Sequence, residues 1–338
     1  MTEGRIIRGV KADVKEGCPW VFVQLADSQL GMLNMATAPD EWGEEARNLG
    51  VAVEKINFMC PRPSFVVVCG DLVNEFPKHD PDRAARQVAD FKRIVKGIDA
   101  SIPLVCVCGN HDVGDVPTRQ SVGLWTSRFG VDYGEFRVGD TRCLVLNSQL
   151  YSAKEEGDHE MASEQDEWLD AIANDDHSAT NAIIFSHIPP FIYDEHEPKG
   201  YFNFRPDIRK DLLDTTKRIR AKRKTFFCGH FHRNAGAWTT DRSIEVVVTS
   251  AVGTTLGWSK TRTSLEDRLG LAGIDWTYRS CDAHASGLRC VCVHPRLGIR
   301  HKWFALNDIP HTFDLASDVP GPDHHVASWD GEPPPLPP

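Results

Sequence analysis

The sequence predicts an α/β fold, a sandwich of two mixed β-sheets flanked by helices. Three observations predict the architecture. Runs rich in Val, Ile, Phe and Cys recur at 20–26, 64–69, 102–108, 142–148, 181–186, 224–228, 244–250 and 288–293, so eight or more strands are expected. Helical spacing separates the early runs, and fewer helices separate the later ones. A single doubly wound sheet accounts for this less well than two sheets face to face.

The elements follow in order. Trp42, Ala46, Leu49, Val53 and Ile56 alternate steps of four and three, and Val88, Phe91, Ile94, Val95 and Ile98 do much the same. Ser163 and Asp166 precede Trp168, Leu169 and Ile172 as a helix start. Pro206 opens another helix, read as ending in the basic run Lys217 to Lys224. Residues 1–315 are expected to form one domain. Within it, 254–286 has little β pattern, interrupts two strand-like runs and reads as an insertion. It carries Trp258, Trp276, Tyr278, Lys260, Arg262, Arg268 and Arg279, a set suited to gripping a phosphorylated peptide. Residues 316–338 are proline-rich and too poor in apolar groups to fold alone, so a disordered tail is expected.

Composition narrows the function. The 38 basic and 48 acidic residues give a formal charge of -10, which argues against a nucleic-acid partner. The longest apolar runs, such as Phe65 to Cys69, fall far short of the ~20 residues of a membrane helix, so no membrane partner is expected. No signal peptide is visible. Ten cysteines are present, but Cys69, Cys106, Cys108, Cys143, Cys228, Cys290 and Cys292 lie inside strand-like runs and no CxxC pair occurs. Buried thiols and a cytoplasmic location are the expectation.

Five short motifs carry the chemistry: Asp27-Ser28-Gln29, Gly70-Asp71, Gly109-Asn110-His111-Asp112, Ser186-His187 and Gly229-His230-Phe231-His232. Each follows a strand-like run, and ligands of α/β sheets gather at strand ends. Carboxylate, amide oxygen and imidazole together suit divalent Mn, Fe, Zn or Mg better than a thiolate site. Two such ions about 3.5–4 Å apart can activate a bridging water and stabilise the attacking and leaving oxygens at phosphorus. Asp71, with two carboxylate oxygens, is the natural bridge.

The ordered set resembles the calcineurin-like metallophosphoesterases, whose pattern is Asp-x-His, Gly-Asp, Gly-Asn-His-Asp or Glu, a lone His, and Gly-His-x-His. That resemblance implies that Asp27, Gln29, Asp71 and His232 hold one metal, that Asp71, Asn110, His187 and His230 hold the other, and that Asp71 and His111 are catalytic. His111 and Asn110 would lie beside the phosphate, with Arg233 and Asn234 as further substrate contacts. Gln29 stands where the family usually has histidine, and an amide oxygen is the weaker, harder ligand. Asp-x-Gln, Ser-His-Ile-Pro-Pro at 186–190, Tyr-Phe-Asn-Phe at 201–204 and Ser-Gly-Leu-Arg at 286–289 resemble the subgroup called calcineurin-like phosphoesterase domain-containing protein 1. The subgroup implies a serine/threonine protein phosphatase acting on phosphorylated protein, or on a small phosphate ester. The alternatives are a phosphodiesterase or nucleotide pyrophosphatase, which the same metal pair could serve, and a non-catalytic scaffold, against which the presence of His111 counts.

Overall fold

The computed structural model describes residues 5–10, 14–15, 17–154, 156–254, 286–313 and 315. The segment 255–285 and the tail from 316 therefore lie outside the described residues, and with them the readings of an insertion and of a disordered tail. Two mixed sheets form, as expected. The first contains β1 (Trp20–Leu25), β2 (Val66–Cys69), β3 (Leu104–Val107), β10 (Gly287–His294) and β11 (Gly298–Ala305), in the order β11-β10-β1-β2-β3. The second contains β4 (Gly134–Val138), β5 (Thr141–Val145), β6 (Ala179–Phe185), β7 (Ala221–Cys228), β8 (Ala235–Trp238) and β9 (Glu245–Val248), in the order β4-β5-β6-β7-β9-β8.

Alternation along each strand explains the sandwich. In β1, Phe22 faces the second sheet while Val23 and Leu25 face the helical layer, and in β2 Val67 and Cys69 face inward while Val66 and Val68 face outward. With both faces buried, the strands read as continuous apolar runs. Between the sheets Phe22 stacks on Phe65 at 4.8 Å and meets Phe227 edge-on at 5.5 Å, while Phe65 meets Phe136 at 5.3 Å. Such edge and offset contacts favour one register of sheet on sheet.

Helices cover the outer faces. α1 (Gly43–Phe58) and α2 (Pro81–Val95) bury Leu49, Val53, Ile56, Val88 and Phe91 against the first sheet, and α6 (His159–Ala173) and α7 (Pro206–Arg218) bury Trp168, Leu169, Leu212 and Leu213 against the second. Two boundaries differ from the sequence reading. α6 starts a turn earlier than Ser163, because the Asp158 carboxylate accepts the main-chain N–H groups of Glu160 and Met161 and caps it there. α7 ends at Arg218, so Lys222 to Lys224 belong to β7 and not to a helix end. Three charges of that run are engaged in ion pairs, Lys217 with Asp241 at 2.8 Å, Arg220 with Asp176 at 2.9 Å, and Arg218 with Asp170.

Parallel pairing of β1, β2 and β3, and of β6 and β7, brings the carboxyl ends of five strands to one edge of the sandwich. The five motifs sit there. At the same edge the chain closes a small clasp: Asn48 Nδ2 donates to the Gly253 carbonyl at 2.8 Å and to Ser286 Oγ at 3.2 Å, and Ser286 Oγ donates to the Gly253 carbonyl at 2.9 Å. The two ends of the segment 255–285 are thus already joined by the frame. Replacing 259–281 by a short Gly-Ser linker is expected to leave the thermal midpoint within about 3 °C, since loop length alone changes stability slowly. Melting by circular dichroism checks this, and a collapse of the transition would make the segment part of the fold.

Candidate metal centre

Each histidine of the motifs is tied by one ring nitrogen to a main-chain carbonyl. His187 Nδ1 meets the Cys69 carbonyl at 2.9 Å, His230 Nε2 the Tyr201 carbonyl at 3.2 Å, and His232 Nδ1 the Thr254 carbonyl at 2.7 Å. A carbonyl oxygen only accepts, so those nitrogens carry the hydrogen and the opposite nitrogens keep their lone pairs. The lone pairs converge. His187 Nε2 lies 3.1 Å from His230 Nδ1, 3.1 Å from Asn110 Oδ1 and 3.3 Å from Asp71 Oδ2. The donor atoms of Asp71, His187 and His230 all lie within 4.8 Å of one another, and all three residues are buried. Ligands about 2.1 Å from a single ion stand roughly 3.0–3.4 Å apart, so these four residues fit the coordination shell of one divalent ion.

The other expected set is assembled beside it. His232 Nε2 lies 3.4 Å from Asp27 Oδ1. Gln29 is 3% exposed, donates its amide N–H to Asn74 Oδ1 at 3.3 Å, and leaves its amide oxygen buried without a hydrogen-bond partner. A buried unpaired oxygen is costly, and a cation beside Asp27 and His232 would satisfy it. Asp71 acts on both histidine sets: its charge favours the protonated forms of His187 and of His232.

The electrostatics agree with a site made for positive charge. Burial opposes ionisation of Asp71, but the charges of His187 and His111 outweigh it and hold the carboxyl well below the usual carboxylate range. Burial likewise works against a charged His187, yet Asp71 and Asp27 push it up to about 9. His230 is drawn down to about 3 by burial and by repulsion from His187. Before metal enters, a single proton on His187 is favoured at this point and a second on His230 is not. An ion that binds must displace that proton.

Main-chain strain accompanies the ligands. Among the described residues six that are not glycine have positive φ, and five are Asp27 (51°), Gln29 (33°), Asp71 (48°), His230 (67°) and His232 (55°). Such conformations persist only where the surroundings enforce them. The motif glycines do part of the enforcing. A Cβ on Gly109 would stand 2.1 Å from Asp71 Oδ1, and one on Gly70 would stand 2.2 Å from His187 Nδ1. The glycine of one motif therefore makes room for the ligand of another.

The remaining predicted residues are placed as follows. His111 donates its main-chain N–H to Asp71 Oδ1 at 2.9 Å, and its Nδ1 bonds the Asn74 carbonyl, which leaves Nε2 4.0 Å from Asp71 Oδ2. Its side chain is 17% exposed. Asn110 Nδ2 donates to Asp115 Oδ1 at 3.0 Å and to the Tyr201 hydroxyl at 3.3 Å, turning its oxygen to His187. Arg233 is buried with its guanidinium 5.7 Å over the Phe231 ring. Asn234 is buried too, and its amide oxygen accepts from Arg289 Nη2 at 2.7 Å and from the Ser250 N–H at 3.2 Å, so that oxygen is engaged within the frame.

Three residues gain roles that the motifs did not assign. Asp112 accepts the Gly109 N–H at 2.8 Å and the Leu72 N–H at 3.1 Å, tying the loop after β3 to the loop after β2. Burial and the neighbouring Asp71 charge raise its carboxyl. Asn74 fixes Gln29 and His111, and Tyr201 fixes Asn110 and His230. A cavity of about 250 Å³ opens between Asn110, Asp115, Lys199, Tyr201 and His230. The glycine argument predicts that Gly109→Ala keeps the fold but weakens metal binding by ~10-fold or more, as misplaced supporting groups do. Gly123→Ala, with nothing within 4 Å of the added carbon, is the neutral control, and calorimetric Mn²⁺ titration of both distinguishes them.

Comparison with known proteins identifies the family. The family model for calcineurin-like phosphoesterases matches residues 22–234. The serine/threonine-protein phosphatase CPPED1 of Mus musculus is 42% identical over 248 residues, which is 71% of this chain and 77% of that one, and its Homo sapiens counterpart is 40% identical over 249 residues, again 71% and 77%. Among solved structures, purple acid phosphatase PPD1 from yellow lupin superposes with a TM-score of 0.55 at 14% identity, covering 87% of this chain and 53% of that one. GAP50, described as the anchor in the inner membrane complex of Plasmodium, gives 0.52 at 14% identity over 86% and 85%. The likeness to those two concerns the fold alone. On the matched motifs and the identity to these relatives, the chain belongs to the calcineurin-like phosphoesterase family.

Proposed function

We propose that the protein is a dinuclear metal-dependent phosphatase that hydrolyses phosphomonoesters on serine or threonine side chains of proteins. The observation that carries the reading is the convergence of lone pairs from Asp71, Asn110, His187 and His230 beside a second group whose Gln29 oxygen lacks a partner. Two divalent ions held there would supply charge neutralisation and an activated water for in-line displacement at phosphorus. The protein-substrate assignment comes from relatives named serine/threonine-protein phosphatase. Mn, Fe, Zn and Mg all suit the donor set, and Gln29 tilts its own side toward an oxygen-preferring ion.

The chain's own groups divide the remaining work. Asp71 holds fixed negative charge between the two sets and is itself held by the His111 N–H. His111 keeps a hydrogen on Nδ1 for the Asn74 carbonyl, so Nε2 is the nitrogen that can exchange a proton with the leaving oxygen. Its ring is braced by Phe76, with centroids 4.4 Å apart. Asn110 is placed to touch both ion and substrate at the mouth of the Tyr201 cavity. A cytoplasmic setting belongs to the same proposal and is supported by the buried thiols of Cys69, Cys108, Cys143, Cys228, Cys290 and Cys292.

The test is hydrolysis of a phosphoserine peptide, para-nitrophenyl phosphate and its diester analogue by protein purified without chelator. Turnover of the peptide and monoester is expected. Preference for the diester would move the assignment to a phosphodiesterase. Asp71→Asn is expected to lose turnover and metal together, whereas His111→Ala is expected to keep its metals and lose ~10²–10⁴ in rate. Two bound metals with near-normal activity in Asp71→Asn would overturn the dinuclear assignment. Gln29→His is expected to tighten one site and shift it toward zinc, as imidazole is the softer donor. Identical calorimetric affinities and metal order in both forms would place Gln29 outside the coordination shell.

A further inference from the structure

A second group of buried polar side chains lies behind the metal centre, crossing from one sheet to the other. Its hub is Arg289 of β10, which is 3% exposed. A guanidinium stays charged and can only donate, so burying it requires several acceptors in fixed directions. Arg289 Nε donates to Thr249 Oγ1 at 2.7 Å, and Nη2 donates to Asn234 Oδ1 at 2.7 Å. Nη1 lies 3.0 Å from His301 Nδ1, which must therefore be the acceptor; the hydrogen of His301 then sits on Nε2, facing Glu245 Oε1 at 3.4 Å. Arg289 and His301 belong to the first sheet, and Glu245, Thr249 and Asn234 to the second sheet and its loops.

From this hub two chains of hydrogen bonds run to the metal-binding loop after β7. Asn234 Oδ1 also accepts the Ser250 N–H at 3.2 Å, and Ser250 Oγ donates to the His232 carbonyl at 3.0 Å. Thr249 Oγ1 donates to Gln24 Oε1 at 2.6 Å, and Gln24 Nε2 donates to the Cys228 carbonyl at 3.0 Å, one residue before Gly229 and His230. The loop so held is the one in which His230 and His232 both have positive φ. Nothing in the metal-binding motifs alone holds the carbonyl of His232; the Arg289 network does.

We propose that Arg289 is a positioning residue for the metal centre, holding the 232–234 turn of the second sheet from the first so that the His232 imidazole faces Asp27. The proposal rests on the dinuclear reading of the site. It assigns Arg289 no contact with substrate. His187 has a separate anchor on the Cys69 carbonyl, so loss of the network should reach His232 and spare His187.

The experiment uses full-length protein with ¹⁵N-labelled histidines, first free of metal. In Arg289→Lys, which keeps the charge but loses the three-way fork, the imidazole signals of His232 are expected to shift while those of His187 stay. Mn²⁺ titration by calorimetry is then expected to show ~10–100-fold weaker binding in the step abolished by His232→Ala and a smaller change in the other step, to which His230 belongs. Ser250→Ala removes only the bond to the His232 carbonyl and should reproduce the same selective effect even if Arg289→Lys does not fold. Equal disturbance of His187 and His232, or equal weakening of both steps, would reduce Arg289 to general stabilisation, and unchanged His232 signals in both variants would end the proposal. If the unmodified protein bound a single ion, the dinuclear reading would fail while the imidazole signals still decided the role of Arg289.

Discussion

The structure turns on four donor atoms that face one another at one buried point with at most a single proton between them. His187 Nε2, His230 Nδ1, Asn110 Oδ1 and Asp71 Oδ2 crowd one buried point, and the ring hydrogens that might have relieved the repulsion are committed to carbonyls on the far sides of the rings. Unscreened in a buried place, such an arrangement is stable only around positive charge. The strained φ values of the ligand-bearing residues and the glycines that admit neighbouring ligands are means of holding that point. Held rigidly, the donors need little rearrangement when an ion arrives, which is what affinity at a catalytic site requires.

The rigidity is shared between the sheets. Asp27, Gln29, Asp71 and Asn110 follow strands of the first sheet, and His187, His230 and His232 follow strands of the second. Each proposed ion would therefore bridge the gap, and the registration of one sheet on the other becomes part of the coordination geometry. The phenylalanine layer of Phe22, Phe65, Phe185 and Phe227 fixes that registration apolarly, through contacts that tolerate little sliding. The Arg289 network fixes it polarly, nearer the ligands.

The parts of this plan that the sequence disclosed are those with a pattern longer than one element. Central strands buried on both faces read as unbroken apolar runs, and the motif residues read as a site because five of them recur in order at strand ends. What stayed hidden has physical causes. β4, β8 and β11 are all edge strands: in β4 and β11 polar residues such as Glu135, Arg137, Arg300 and Lys302 interrupt the apolar signal, and β8 is a short Ala-Gly-Ala-Trp run with no β-branched residue. The run Lys222 to Lys224 was misread because β7 carries its charges on its half-exposed beginning and its apolar residues only from Thr225 onward. Tyr201 carries no signal of its own in the sequence, since its main-chain carbonyl does half of its work and no side-chain pattern reports a carbonyl. Asn74, Asp112 and Arg289 act through partners far off in the sequence or through main-chain groups, and single-sequence spacing carries no trace of contacts such as Asn74 with Gln29, 45 apart, or Arg289 with Asn234, 55 apart.

The replacement of imidazole by Gln29 fits the division of labour between the two sets of ligands. The set around His187 has its donors crowded to about 3 Å and its histidines anchored on carbonyls of β2's end and of the Tyr201 loop. The set around His232 has the Asp27 carboxylate, an amide oxygen and a single imidazole, whose ring is anchored on Thr254 and whose main-chain carbonyl depends on the Arg289 network. Asymmetry of this kind suits a centre in which one ion is held as structure and the other is exchanged or tuned, because the weaker donor set responds first to any shift in the frame. Thr254, whose carbonyl anchors the His232 ring, is followed in the sequence by the segment 255–285, whose composition suits a phosphorylated peptide.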